Sequence, residues 1–441
     1  MTIGEIVANT LLATIIASVA FLASSNVVAA DLSPTEQAIV ARVDGHTRAA
    51  LDLLQRTVNI NSGSMNFAGV REVGRVFRGE FDTLGFETRW ADGATFGRAG
   101  HLVAEFGHQG IHLLLIGHLD TVFEPDSPFQ RYEPISSSKA RGPGTTDMKG
   151  GNVIIVEALR ALKATGSLEN MQITVLLIGD EESSGKPLKA ARAELIKAAT
   201  DADVALGFED GDGDPHTAVI ARRGYSGWRL EVTGRAAHSS QIFSPDIGHG
   251  AIFEAARVLT SFRETLEGEP YLTFNPGVVL GGTRVDFDEG RSRGSAFGKA
   301  NVIAESTVVT GDLRTLSIEQ RESAITRMQA IIARQLPGTR SQLTFTDGYP
   351  PLAPTDGNKA LLALYDRVSR DLGFGPVTAV DPASAGAADI SFTAGLVDMA
   401  LDGLGLMGSG GHTVDETADL ETLPSQTKRA ALLMHRLSLN F

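Results

Sequence analysis

Residues 111–123 read IHLLLIGHLDTVF. From Ile111 to Gly117 the run is apolar except for His112, continuous rather than alternating, and too short for an ordinary helix. That is the pattern of a strand covered on both faces, and His118 and Asp120 follow where it ends. The arrangement recurs. ITVLLIGDEESSG at 173–185 ends on Asp180, Glu181 and Glu182, and LGFED at 206–210 ends on Glu209. GPGTTDMKGG at 142–151 sets Asp147 in front of a helical pattern, and LDGLGLMGSGGHTVDE at 401–416 delivers His412 after a glycine-rich turn. Polar side chains thus gather at one edge of a buried sheet.

Working outward, the apolar period predicts helices over about 35–57, 70–84, 149–164 and 188–199. Strands are predicted at ETRWA, HLVAEF, IHLLLIGHL, ITVLLIG and DVALGFE. This alternation indicates an α/β domain with a mostly parallel central sheet. After Arg223 the pattern changes to strand, helix, two strands, helix and a final strand SQLTFTDG, an α+β sandwich inserted into the larger domain. The expected division is a leader over 1–30, a catalytic domain over 31–222 and 347–441, and an inserted lid or dimerisation domain over 223–346. Within the lid, TRVDFDEGRSRGSAFG at 283–298 reads as a mobile surface loop, with a flap over the site as its functional reading.

The residue types fit two-metal chemistry. Two divalent cations about 3.5–4 Å apart polarise a carbonyl and lower the pKa of a water to about 7. One carboxylate must bridge them, and each metal then takes an imidazole and a carboxylate of its own. That mix suits zinc, with cobalt or manganese as alternatives. Adjacent side chains diverge at a strand end, so of Glu181 and Glu182 one can bind metal while the other handles protons.

With these motifs in this order, the chain resembles the M20 family of metallopeptidases, the group that includes glutamate carboxypeptidase and the aminoacylases. The resemblance implies Asp147 as the bridging ligand, His118 and Glu209 on one metal, Glu182 and His412 on the other, and Glu181 as general base. Asp120 is implied to accept the second ring N–H of His118 and fix its tautomer. It also implies a cis peptide between Asp147 and Met148. In the lid, His238 in GRAAHSS resembles a histidine that reaches the partner's active site in dimeric members. Asn301 in KANVIAES and Arg314 in GDLRTL resemble the pair that holds the substrate's free carboxylate. Glutamate-specific relatives carry a further Arg just past the lid, where this chain has Asp347, Gly348, Tyr349 and Pro350. Asp389, in GAADISFTAGL, is expected close to the metals but not among their ligands.

Composition narrows the function. The chain has 441 residues, 42% of them hydrophobic, which is ample for a large core. Its 39 basic against 53 acidic residues give a net charge of −14, unsuited to nucleic acid. With no cysteine, metal ligands must be His, Asp or Glu. IVANTLLATIIASVAFLASSNVVAA at 6–30 reads as an export signal ending in a small-residue cleavage site, although the start MTIGE lacks a basic residue. An uncleaved membrane anchor is the competing reading. The export reading gives an exported, periplasmic or secreted protein with no stable membrane span after leader removal.

His46, His101, His108, His112, His216, His249 and His435 read as packing or surface residues. The expected function is a di-zinc hydrolase, a homodimer, cleaving an amide bond next to a free carboxylate as a carboxypeptidase or N-acyl-amino-acid deacylase, on peptide or N-acyl amino acid substrates. The alternatives are an aminopeptidase on di- or tripeptides and a catalytically silent metal- or peptide-binding protein. Glu181 argues against the silent reading, since a binding protein has no use for a proton shuttle.

Overall fold

Leu113 and Leu115 point into one hydrophobic core while Leu114 and Ile116 point into another, so the strand Ile111–His118 is sandwiched as its apolar run requires. The computed structural model describes residues 32–440, and the leader expectation lies outside them. Around this strand a six-stranded sheet runs in the order Glu87–Asp92, Gly100–Phe106, Met171–Ile178, Ile111–His118, Val204–Gly207, Met399–Leu401. The last four are mutually parallel, and Gly100–Phe106 is antiparallel to both of its neighbours.

Helices Pro34–Val58, Gly150–Ala164 and Thr422–Asn440 pack together over one face. The first begins with Ser33 and Glu36 each accepting the other's backbone N–H, a reciprocal cap that satisfies two otherwise orphaned donors. Helix Ala193–Asp201 and the turn Asp389–Thr393 cover the opposite face. The single helix expected over 188–199 is interrupted at Arg192, whose side chain turns inward and is fully buried.

A second sheet occupies residues 224–347, in the order Thr273–Gly282, Ser306–Thr315, Gly224–Thr233, Arg340–Asp347, antiparallel throughout. Trp228, Leu230 and Val232 face helices Ala251–Leu266 and Ile318–Ile332 and form a separate core with Phe262, Val309, Leu313 and Met328. Tyr225, Arg229 and Glu231 point the other way. The stretch expected as a loop is instead a β-hairpin, Arg284–Asp288 paired with Arg293–Phe297. It folds onto this open face, with Glu289 3.4 Å from Arg229 and the Phe287 ring 5.7 Å from the same guanidinium.

The chain crosses between the two units twice, and the crossings pair with each other. Arg222 and Leu352 exchange backbone hydrogen bonds at 2.9 Å, and the Tyr225 N–H donates to the Tyr349 carbonyl at 2.9 Å. Gly348 is needed here, because a Cβ would meet the Tyr225 ring at 2.4 Å. Among the described residues no helix is long and apolar enough to cross a membrane.

Candidate metal centre and active site

In an open parallel sheet, ligands gather outside the carboxyl ends of the strands, and this chain places its polar residues there. His118 closes its strand, Glu181 and Glu182 follow Ile178, and Glu209 follows Gly207. The crossover between the first two strands contributes Asp147 from the turn Thr145–Lys149, and the Asp147–Met148 peptide is cis, as the resemblance implied. His412 arrives from the last glycine loop with φ 63, the left-handed region that a non-glycine residue rarely adopts outside constrained sites.

These side chains form two groups that share Asp147. Its Oδ1 lies 2.9 Å from His118 Nε2, which is 3.7 Å from Glu209 Oε1. Its Oδ2 lies 2.9 Å from His412 Nε2, which is 3.1 Å from Glu182 Oε2. Two imidazoles and three carboxylates converge, with one carboxylate facing both ways.

The surroundings fix this set. Gly117 has no Cβ to block Asn152, which donates to the His118 carbonyl at 2.6 Å; a Cβ would sit 2.2 Å from Asn152 Oδ1. His118 Nδ1 lies 3.0 Å from the backbone carbonyl of Asp120 and 3.5 Å from its carboxylate, so the expected orienting contact runs chiefly through the main chain. The Asp120 carboxylate is occupied elsewhere. It accepts the N–H of Glu181 at 3.0 Å, the N–H of Glu182 at 3.1 Å and the Ser64 hydroxyl at 2.5 Å. Asp402 accepts the Glu209 N–H at 3.4 Å while paired with Arg222 at 2.8 Å. Glu416 accepts the N–H groups of Gly144, Thr146 and Asp147 and cradles the Asp147 turn. The sequence reading missed Glu416; its only signal is its position at the end of the His412 motif.

A second missed group lies behind Glu181. Arg192 donates to Asp389 at 2.7 Å, to Asp180 at 2.8 Å, to Ser184 at 3.1 Å and to the Tyr349 hydroxyl at 2.6 Å. Asp389 therefore stands near the site through Arg192 and outside both candidate ligand groups, where it was expected.

Charge is concentrated here. Burial pushes Glu182 up to about 7 despite its bond from His412, and burial likewise holds Glu209 at about 7 against the attraction of His118. Glu181 is raised well above the usual carboxylate range, first by burial and then by Asp389. Burial opposes ionisation of Asp147, but hydrogen bonds from His118 and His412 outweigh it and hold its pKa down. Bonds to Asp147 and Glu182 raise His412 to about 11. So many carboxylates in one buried cluster, with two imidazoles among them, is the donor set that divalent cations complete.

A cavity of about 400 Å³ opens beside Glu181, Glu182 and His412 and extends to Tyr225, Lys186 and Tyr349. A larger one, about 720 Å³, contains none of the candidate ligands. Arg314 pairs with Asp312 at 3.0 Å and stands 5.9 Å from the Tyr225 ring, close to this cleft. His238 and Asn301 are neighbours, with Ser239 N–H donating to the Asn301 carbonyl at 2.9 Å, but they lie beyond the Ser306 end of the strand that carries Arg314. The eight residue-to-residue steps of strand from Ser306 to Arg314 span roughly 26 Å. The expected Asn301–Arg314 pair therefore does not close around one carboxylate within a chain. Arg284, Arg291 and Arg293 belong to the hairpin, and Lys186 is among the residues that line the cleft.

A mostly parallel sheet whose carboxyl edge holds two imidazole–carboxylate groups sharing one aspartate, with an antiparallel sheet joined to it by two crossings, defines an α/β metallohydrolase. The chain belongs to peptidase family M20/M25/M40, whose model matches residues 114–436. It is 26% identical over 397 residues to carboxypeptidase G2 of Pseudomonas sp. (strain RS-16), covering 88% of each chain. It is 30% identical over 201 residues to acetylornithine deacetylase of Pasteurella multocida, covering 42% of this chain and half of that one. Its fold is similar to that of aminopeptidase PepT from Bacillus cereus, with a TM-score of 0.68, 19% identity, and coverage of 89% of this chain and 98% of the other.

Proposed function

We propose that the chain is an exported, homodimeric enzyme that holds two zinc ions, or cobalt or manganese in their place, and cleaves an amide bond beside a free carboxylate. Its substrates are peptides with a free C-terminus or N-acyl amino acids. The observation that carries this reading is Asp147 facing His118 and His412 with its two oxygens while Glu181 stands alongside. His118 and Glu209 would hold one cation, Glu182 and His412 the other, and Asp147 both. When bound, the pair supplies polarisation of the scissile carbonyl and an acidified water.

Glu181 takes the proton of the attacking water and returns it to the leaving amine. Burial and the Asp389 carboxylate raise its pKa above the ordinary carboxylate range, which makes it a stronger proton acceptor. Asp120 keeps Glu181 and Glu182 in register by binding both of their backbone amides. Arg314, at the cleft end of the lid sheet, binds the substrate carboxylate through its guanidinium fork in place of Asp312.

His238 is exposed and distant from its own chain's cleft, so we assign it to the active site of a second copy, where its ring N–H would stabilise the carbonyl oxyanion with Asn301 beside it. Phe243, Ile252, Phe253, Val279 and Phe297 leave more than half of their surface exposed on the lid, which supports an interface there. Carboxypeptidase and deacetylase relatives support the reaction class. The test is amine release from a panel of N-acyl amino acids and dipeptides by the chelated chain before and after zinc is restored. Metal-dependent turnover supports the reading; two bound metals with no turnover of any member contradicts it.

A further inference from the structure

The lid's second crossing enters the catalytic unit through Tyr349, two residues past the last lid strand. Its ring stands edge-on to Phe392 with centroids 5.0 Å apart, and the Arg192 guanidinium lies 5.5 Å from its centroid. Arg192 donates to the Tyr349 oxygen at 2.6 Å. The hydroxyl's own proton is therefore left for the Glu181 backbone carbonyl at 3.3 Å or for Ser184 Oγ at 3.0 Å. On the main-chain side, the Tyr349 carbonyl accepts the N–H of Tyr225, the residue that begins the other crossing. One residue, through its carbonyl and its hydroxyl, thus joins both crossings to the loop that carries Glu181 and Glu182.

That loop is gripped from two sides. Asp120 binds the N–H groups of Glu181 and Glu182, and Arg192 binds Asp180, whose other oxygen takes the Gly185 N–H at 2.7 Å. Both of these anchors belong to the catalytic unit. Tyr349 is the anchor that arrives from the lid side, and it reaches the carbonyl of Glu181 itself.

We propose that Tyr349 is a positioning residue: its hydroxyl, oriented by Arg192, holds the backbone of Glu181 from the interdomain hinge, so that placement of the base depends on where the lid crossing sits. The inference rests on Glu181 being the base. It makes Tyr349 kinetically important through its hydroxyl's contacts with Arg192, Ser184 and the Glu181 main chain.

Tyr349→Phe keeps the ring contacts and removes only the hydroxyl. In the full, metal-loaded chain, loss of this half-buried hydrogen bond is expected to lower kcat about tenfold and leave KM within about twofold. Two metals per chain should remain, and amide exchange over 181–185 should quicken. In a Glu181→Gln background the same change should cost nothing further, because the group being positioned is gone.

A kcat within about twofold of the parent in Tyr349→Phe would overturn the inference, as would an undiminished loss in the Glu181→Gln background. The two readings fail separately. An inactive Glu181→Gln beside a normal Tyr349→Phe removes the positioning role alone, whereas an active Glu181→Gln removes the base assignment and the inference with it.

Discussion

The carboxylate of Asp120 lies 3.0 Å from the backbone nitrogen of Glu181, and its other oxygen takes the N–H of Glu182. One buried aspartate therefore sets the register of the proposed base and of a proposed ligand together. Asp120→Ala leaves both amides without an acceptor in the interior, at about 1–3 kcal/mol each. Losing a partner of this kind typically lowers metal affinity or activity about 10- to 100-fold, and the same is expected here. Kinetics and metal content measured on the purified variant check it; parental values in both would contradict the role.

Asp147→Ala should release both metals, since its two oxygens face separate groups. His412→Ala should weaken one, because His118 and Glu209 still surround Asp147 in the other group. Metal analysis after dialysis distinguishes them. Two metals retained by Asp147→Ala would exclude the bridge.

Much of this centre was legible because its residues end apolar runs. His118, Glu182 and Glu209 follow strands whose continuous hydrophobicity fixes both their depth and their shared edge. The hairpin at 284–297 was illegible for the opposite reason. The first strand, RVDFD, alternates over only five residues and the second, RGSAF, is exposed throughout, so the pair carries too short an apolar signal to mark a hairpin. Arg192 reads as an ordinary helix cation, and only the fold brings Asp180 and Asp389 to it. The separation of Asn301 from Arg314 was hidden as well, since strand direction decides it.

Metal binding should stabilise more at higher pH. Glu182 and Glu209 are held at about 7 in the folded chain against an ordinary 4.5, so between those values the folded state binds protons that the unfolded state has lost. Metal-free stability must therefore fall as pH rises through that window. His412, at about 11 against 6.5, extends the fall above neutrality. Cations that replace these protons reverse the trend. The gain in Tm on adding zinc should grow from pH 5.5 to pH 8.5; a gain that is flat or shrinks would contradict this.

His238→Ala and Glu181→Gln should each be inactive alone and regain activity when mixed under conditions of subunit exchange. One site of the heterodimer then has both its own Glu181 and the partner's intact histidine. No recovery after confirmed exchange would argue against a site shared between copies.

The central claim is that Glu181 carries the proton and is not a ligand, and it is tested most directly by Glu181→Gln. Two metals per chain should remain, while kcat on the best N-acyl amino acid or dipeptide falls by about 10²–10⁴, the scale of a lost general acid–base group. Near-parental turnover with both metals bound would contradict the account.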